Sequence, residues 1–197
     1  MQWYETVNLI RAKKLELAAV DPRAGMPVMP SARAGERGIA AVERRLRRPL
    51  PPSYRAFLAM HDGWSQFFHG ASLLGVRHLA RGTYDEVTRL VLEEWEAPRP
   101  GTARAPRRQP PKHMLVPFGI DARAETIFAW NTSTARADGE LEIVVWINEI
   151  GERVESFPRF LELVLELLGA DLDERRRRVA EARIPMTMPS RRVAVSA

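Results

Sequence analysis

Cysteine is absent from the 197-residue chain. That excludes disulfide frameworks, thiol nucleophiles and Cys-ligated zinc or iron–sulfur sites, and it accords with a reducing cytosol. Lysine is scarce as well: Lys13, Lys14 and Lys112 are the only lysines among 30 basic residues. We read this arginine excess as the imprint of a GC-rich genome, because arginine's bidentate geometry matters only where an acceptor is placed for it. No apolar run approaches the roughly 20 residues of a membrane helix. The opening Met1-Gln2-Trp3-Tyr4-Glu5 lacks the basic-then-apolar order of a secretory leader. The expectation is a soluble, cytoplasmic protein with no membrane contact.

The motifs of common catalysts are missing too. There is no Gly-x-Ser-x-Gly elbow and no phosphate-cradling Gly-x-x-x-x-Gly-Lys. The four histidines, His61, His69, His78 and His113, include no pair at the i, i+4 spacing of a zinc-protease helix. They read as structural or surface imidazoles. The expectation is therefore no catalytic residues, no metal and no cofactor.

What is present is an uneven distribution of charge. The net charge is +5 and the pI near 10.2, yet residues 99–113 carry +5, residues 175–197 carry +6 and residues 114–174 carry −9. The basic pI describes an insertion and a tail. Neither stretch interleaves aromatics for base stacking, so nucleic acid is not expected as a partner, and Arg175 to Arg178 read as a solvated basic run.

Periodicity predicts an α+β protein: helices first, an antiparallel β-meander, and a C-terminal helix packed on the sheet. Residues 1–34 read as a helix, carrying Trp3, Val7, Ile10, Leu15 and Leu17 inward, followed by a Pro/Gly-rich linker. This helix packs on the main domain or on a partner. The main domain spans 35–170. In it, Ile39, Val42 and Leu46 define a helix with Glu43 and Arg47 paired on its outer side. Pro51 and Pro52 prime a second helix through Tyr54, Phe57 and Leu58. Asp62-Gly63 ends that helix with a left-handed residue and presents Trp64. Residues 65–80 suggest a short strand and turn, and Tyr84 to Glu96 a helix with Val87, Leu90, Val91 and Trp95 inward. Residues 97–113, with five prolines, read as a mobile insertion. From Met114 the period becomes 2, giving three or four short strands with Asn131 to Gly139 as a polar hairpin loop. Ser156 caps a closing helix with Phe160, Leu163, Val164, Leu167 and Leu168 on its core face and Gly169 beyond its end. Residues 171–197 form a basic, partly disordered tail.

Several of these segments resemble one family. Leu50-Pro51-Pro52-Ser53-Tyr54-Arg55-Ala56-Phe57-Leu58, the Asp62-Gly63-Trp64 turn, Leu73-Leu74-Gly75, Val116-Pro117-Phe118-Gly119 and Ser156-Phe157 through Leu161 are similar to the SUKH superfamily. That group takes in fungal Smi/Knr-type cell-wall regulators and bacterial toxin-immunity proteins. The resemblance covers roughly residues 36–169. It implies binding without catalysis. The expected partner is a cognate toxin domain or another protein, with a regulatory adaptor using its basic segments as arms as the alternative. Residues 122–125, Ala-Arg-Ala-Glu, depart from the acidic or glycine-rich turn usual there. An acidic sheet face is suited to steering toward a basic toxin cleft. On that reading the partner-binding residues are Trp64, Gln66, Asp121, Glu125, Glu140, Glu142 and Glu149, with Trp64 either a recognition anchor or a plug closing the core.

Overall fold

Pro49, Pro51 and Pro52 set the spacing of the first helices of the domain. The computed structural model describes residues 2–21, 28–96, 110–147 and 150–182. Helix α1 is Trp3–Val20, α2 is Glu36–Leu46 and α3 is Pro52–Met60. Pro52 opens α3 where its missing N–H costs nothing. The expected Glu43–Arg47 pair does not form. Arg47 leaves the helix in the left-handed region at φ 53°. Glu43 turns instead to the Leu50 N–H and the Arg55 guanidinium, while Arg55 also pairs with Glu36.

Strands β1 (Trp64–Phe68) and β2 (Ala71–Leu73) form a hairpin, followed by α4 (Val76–Arg81) and α5 (Asp85–Glu96). Then come β3 (Leu115–Ile120), β4 (Thr126–Ala135), β5 (Leu141–Ile147), β6 (Ile150–Val154) and α6 (Phe157–Ala182). The six strands lie in chain order, each antiparallel to the next, so the protein is α+β with a single meander. The sheet exceeds the expected three or four strands because the 64–73 hairpin joins it through Ser72 and Leu73, which pair with Ile120 and Gly119. Strand β4 also runs to Ala135, into the expected polar loop.

One sheet face meets α3 and α6 through a cluster of rings. Tyr54 lies edge-on to Trp130 and to Phe157, each at 4.9 Å, and Phe118 stacks on Trp130 at 4.8 Å. Phe128 meets Phe160 at 4.9 Å. Such pairs add to the area term that dominates core stability. The opposite face is not open to water. Ile127, Ala129, Val144 and Trp146 alternate with the ring-bearing positions and are buried as well, and α5 packs against β3.

Two helices turn differently from expectation. On α5 the buried residues are Thr88 and Leu92, while Val87 and Leu90 are exposed; the Trp95 side chain lies outside the described residues. On α6 Phe160, Val164 and Leu168 face the core as expected, joined by Phe157, Leu161 and Leu172, but Leu167 is exposed. The helix also passes through Gly169 without ending. It continues because α1 packs along it in the same direction. Trp3 meets Phe57 at 6.5 Å, Phe57 meets Phe157 at 5.4 Å, and Arg175 reaches Asp21 at 2.6 Å. Val7, Ile10 and Leu17 of α1 are buried, whereas Leu15 is half exposed. Of the two placements open for α1, the structure shows the first, on the main domain. Arg175 and Arg176 are not free tail charges: they tie α6 to Asp21 and Glu16.

Candidate interaction surface

The site is built at one end of the sheet, where helix-ending and strand-ending turns meet backbone to backbone. Gly63 takes φ +83°, and a Cβ there would lie 2.6 Å from the Leu73 carbonyl oxygen. A Cβ on Gly75 would lie 2.6 Å from the Asp62 carbonyl oxygen. Only glycine fits either position. The contact lets the Asp62 carboxylate accept the Val76 N–H at 2.6 Å, capping the first turn of α4. The Asp-Gly-Trp and Leu-Leu-Gly segments are therefore two halves of one joint.

Beyond the joint, β1 carries a bulge between Trp64 and Phe68. Gln66 sits in the left-handed region at φ 49°, and His69 at φ 47° precedes Gly70 at φ 75°. Non-glycine residues with positive φ are uncommon and persist where surrounding contacts hold them. Here the Gln66 N–H donates to Ser72 Oγ at 3.1 Å. Lys14 of α1 donates to the carbonyls of Gln66 and Phe67 at 2.6 and 2.9 Å.

Facing the bulge is the β3–β4 turn. Asp121 accepts the Thr126 N–H at 3.0 Å on Oδ1, and Ala124 occupies the left-handed position of the turn at φ 57°. Between bulge, turn and the α4–α5 segment lies a groove of about 840 Å³. Gln66, Asp121, Arg77 and His78 supply polar groups to its wall, and Val87 and Val91 of α5 supply apolar ones. Glu125 is exposed on the same turn as Asp121.

The structure thus brings Gln66 and Asp121 onto one groove, with Glu125 on the same turn as Asp121 but outside the lining. It sets Glu140 and Glu142 apart from them, at the far end of β4. Trp64 contributes to the groove wall but is only 1% exposed, with its indole N–H donated to the Val28 carbonyl at 2.6 Å. It is a core plug, because the Val28 backbone and the Phe67 ring 5.1 Å away lie against it. Glu140 was expected on a solvent face and is buried at 8% exposure. Its carboxylate accepts the Ser53 N–H and the Ser53 hydroxyl, each at 2.8 Å, at the start of α3. Glu142 is half-buried and engaged: the Arg153 guanidinium and the Asn131 amide both donate to it. Burial pushes the Glu142 carboxyl up, but these donors and the Arg153 charge outweigh it, so its pKa falls below the usual value. Both residues flank the β4–β5 hairpin, and β4 runs its full 10 residues between that hairpin and the Asp121 turn. Glu149 lies outside the described residues.

Four of the 13 carboxylates of 114–174 are held in ion pairs within the segment. Arg136 pairs with Asp138 and Glu155, Arg153 with Glu142, and Arg159 with Glu162. No group of three His, Asp or Glu side chains among the described residues is disposed to hold a metal ion. Nor is any helix among them long and apolar enough to cross a membrane. Lys14 carried no signal in the sequence, since its acceptors lie 52 and 53 residues away.

The fold and this joint define a small α+β domain in which a six-stranded meander is closed by a terminal helix and fronted by a proline-primed helix and an Asp-Gly turn. The family model described as SMI1 / KNR4 family (SUKH-1) matches residues 34–166, and the chain belongs to that family. No curated protein matches the chain significantly. Helix α1 and the last turns of α6 fall outside the matched residues.

Proposed function

We propose that the protein is a cytoplasmic immunity protein that neutralises a bacterial polymorphic toxin domain by binding it directly, without catalysis. The interaction surface is the groove wall at Gln66 and Asp121 together with Glu125, exposed on the Asp121 turn. The observation that carries this reading is the convergence of two strained turns on one groove: Gln66 at φ 49° and Ala124 at φ 57° are held by hydrogen bonds on a wall that carries Asp121 together with Arg77 and Arg123, with Glu125 exposed on the Asp121 turn. Strained backbone of this kind presents groups in a fixed geometry, which lowers the entropy cost of association. Membership of the SUKH group supports protein binding as the role. Charges on the rim act mainly on the rate of encounter with a basic partner.

The regulatory-adaptor reading relied on loose basic segments as arms. Arg175 and Arg176 are engaged with α1 and do not serve it. Binding kinetics against a purified toxin domain from a neighbouring gene, at two salt concentrations, test the proposal. Glu125→Arg is expected to slow association and to reduce its salt dependence. Affinity indifferent both to that reversal and to salt would overturn it.

A further inference from the structure

We propose that helix α1, which lies outside the family-matched residues, is a built-in brace for the interaction surface, and that Lys14 is its positioning residue. In a regular strand, successive carbonyls point to opposite edges of the strand. A single ammonium therefore cannot take two in a row. Lys14 Nζ takes both Gln66 and Phe67, at 2.6 and 2.9 Å. It can do so only because the bulge and the φ of 49° at Gln66 turn the two oxygens to one side. Lys14 thus selects the bulged strand over the regular one.

The alternative conformation matters for the site. Regularising β1 shifts its register, and a one-residue shift moves a side chain to the other face of the sheet. Gln66 would then leave the groove it now lines. Strand β1 is also the edge of the sheet. Its carbonyls are the groups another strand would pair with, and Lys14 occupies two of them.

The lysine is committed to this position. It has no carboxylate partner among the described residues, it lies 6.0 Å over the Trp64 ring, and burial lowers its pKa. Its helix is anchored from the far side, since Asp21, the C-cap of α1, and Glu16 pair with Arg175 and Arg176 at 2.6 and 3.1 Å. The chain from α6 through α1 to the bulge is continuous. The consequence for partner binding rests on the reading of the groove as the interaction surface; the brace itself does not.

Hydrogen–deuterium exchange on the full chain tests it. Lys14→Met keeps the apolar stem and removes the ammonium. It is expected to speed exchange in peptides covering 64–72 about tenfold while leaving β3 to β5 unchanged, with Lys14→Arg restoring part of the protection. Arg175→Gln, remote from the bulge, is expected to speed exchange in α1 and in 64–72 together, and it serves equally if Lys14→Met fails to fold. Unchanged exchange at 64–72, or a rise spread evenly over the whole sheet, would overturn the brace. Loosening at 64–72 with unaltered affinity for the toxin domain would confirm the brace and remove the groove from the binding surface.

Discussion

Ser53 and Glu140 are 87 residues apart in the chain and share two hydrogen bonds of 2.8 Å. Helix α3 begins with Pro51 and Pro52, neither of which offers a side-chain cap. The first N–H that needs an acceptor is that of Ser53. A carboxylate from the β4–β5 hairpin supplies it and lies favourably at the positive end of the helix dipole. Gly139, at φ +81°, turns the hairpin so close that a Cβ there would lie 3.3 Å from the Pro52 ring.

The first prediction concerns this remote cap. Glu140→Ala leaves a buried N–H and a buried hydroxyl without partners, a loss of about 1–3 kcal/mol. Urea unfolding is expected to show it, and Glu140→Gln is expected to recover part of it. A cost near zero would mean that water replaces the carboxylate.

Phe57 is fully buried between Trp3, Tyr54 and Phe157. Phe57→Ala is expected to cost about 3–5 kcal/mol, the range for a large aromatic truncated in a core. The same unfolding experiment measures it. A cost below about 1 kcal/mol would show that α1, α3 and α6 do not meet there.

Tyr54 governs the alkaline side. Burial, with the Asp62 charge adding to it, holds its phenol well above the ordinary value of 10.0, and the hydroxyl donates to the Leu74 carbonyl at 2.8 Å. The folded state keeps a proton that the unfolded chain releases. This contribution is complete below pH 10 and is lost as pH rises further. Lys14, with its lowered pKa, works in the opposite sense. Stability measured at about pH 8 and about pH 11 is expected to fall, and to fall less in Tyr54→Phe.

Trp64 and Glu125 separate packing from recognition. Trp64→Phe keeps a ring in the core but forfeits the bond to the Val28 carbonyl, and is expected to lower stability by about 1 kcal/mol. Its association kinetics with the proposed toxin partner are expected to match those of the unaltered protein. Glu125→Arg is expected to do the reverse, slowing association with stability unchanged. Trp64→Phe that speeds dissociation at unchanged stability would return the indole to the interface.

The sequence by itself determined the elements and several of their joints. The strands over 115–130 and 141–147, the prolines before α3, Gly63 and the Ser156 start of α6 depend on neighbours in the chain, and each formed as read. The segments resembling the SUKH superfamily carried the family for the same reason: glycine at 63 and 75 is a local requirement of a contact that the fold makes. Which face of an element turns inward was decided only in three dimensions. Val87 and Leu90 are as apolar as Leu92, and Glu140 alternates with its neighbours as a surface residue should. Helices on both sides of the sheet, and a proline-blocked helix end in search of an acceptor, reversed those expectations. The run Arg175 to Arg178 likewise has the composition of a solvated tail, yet two of its members pair with a helix about 155 residues earlier in the chain. Lys14 is the extreme case, because a lone lysine on an amphipathic helix has no local pattern to mark it. Its role exists only because tertiary packing sets α1 beside an edge strand whose bulge turns two carbonyls the same way.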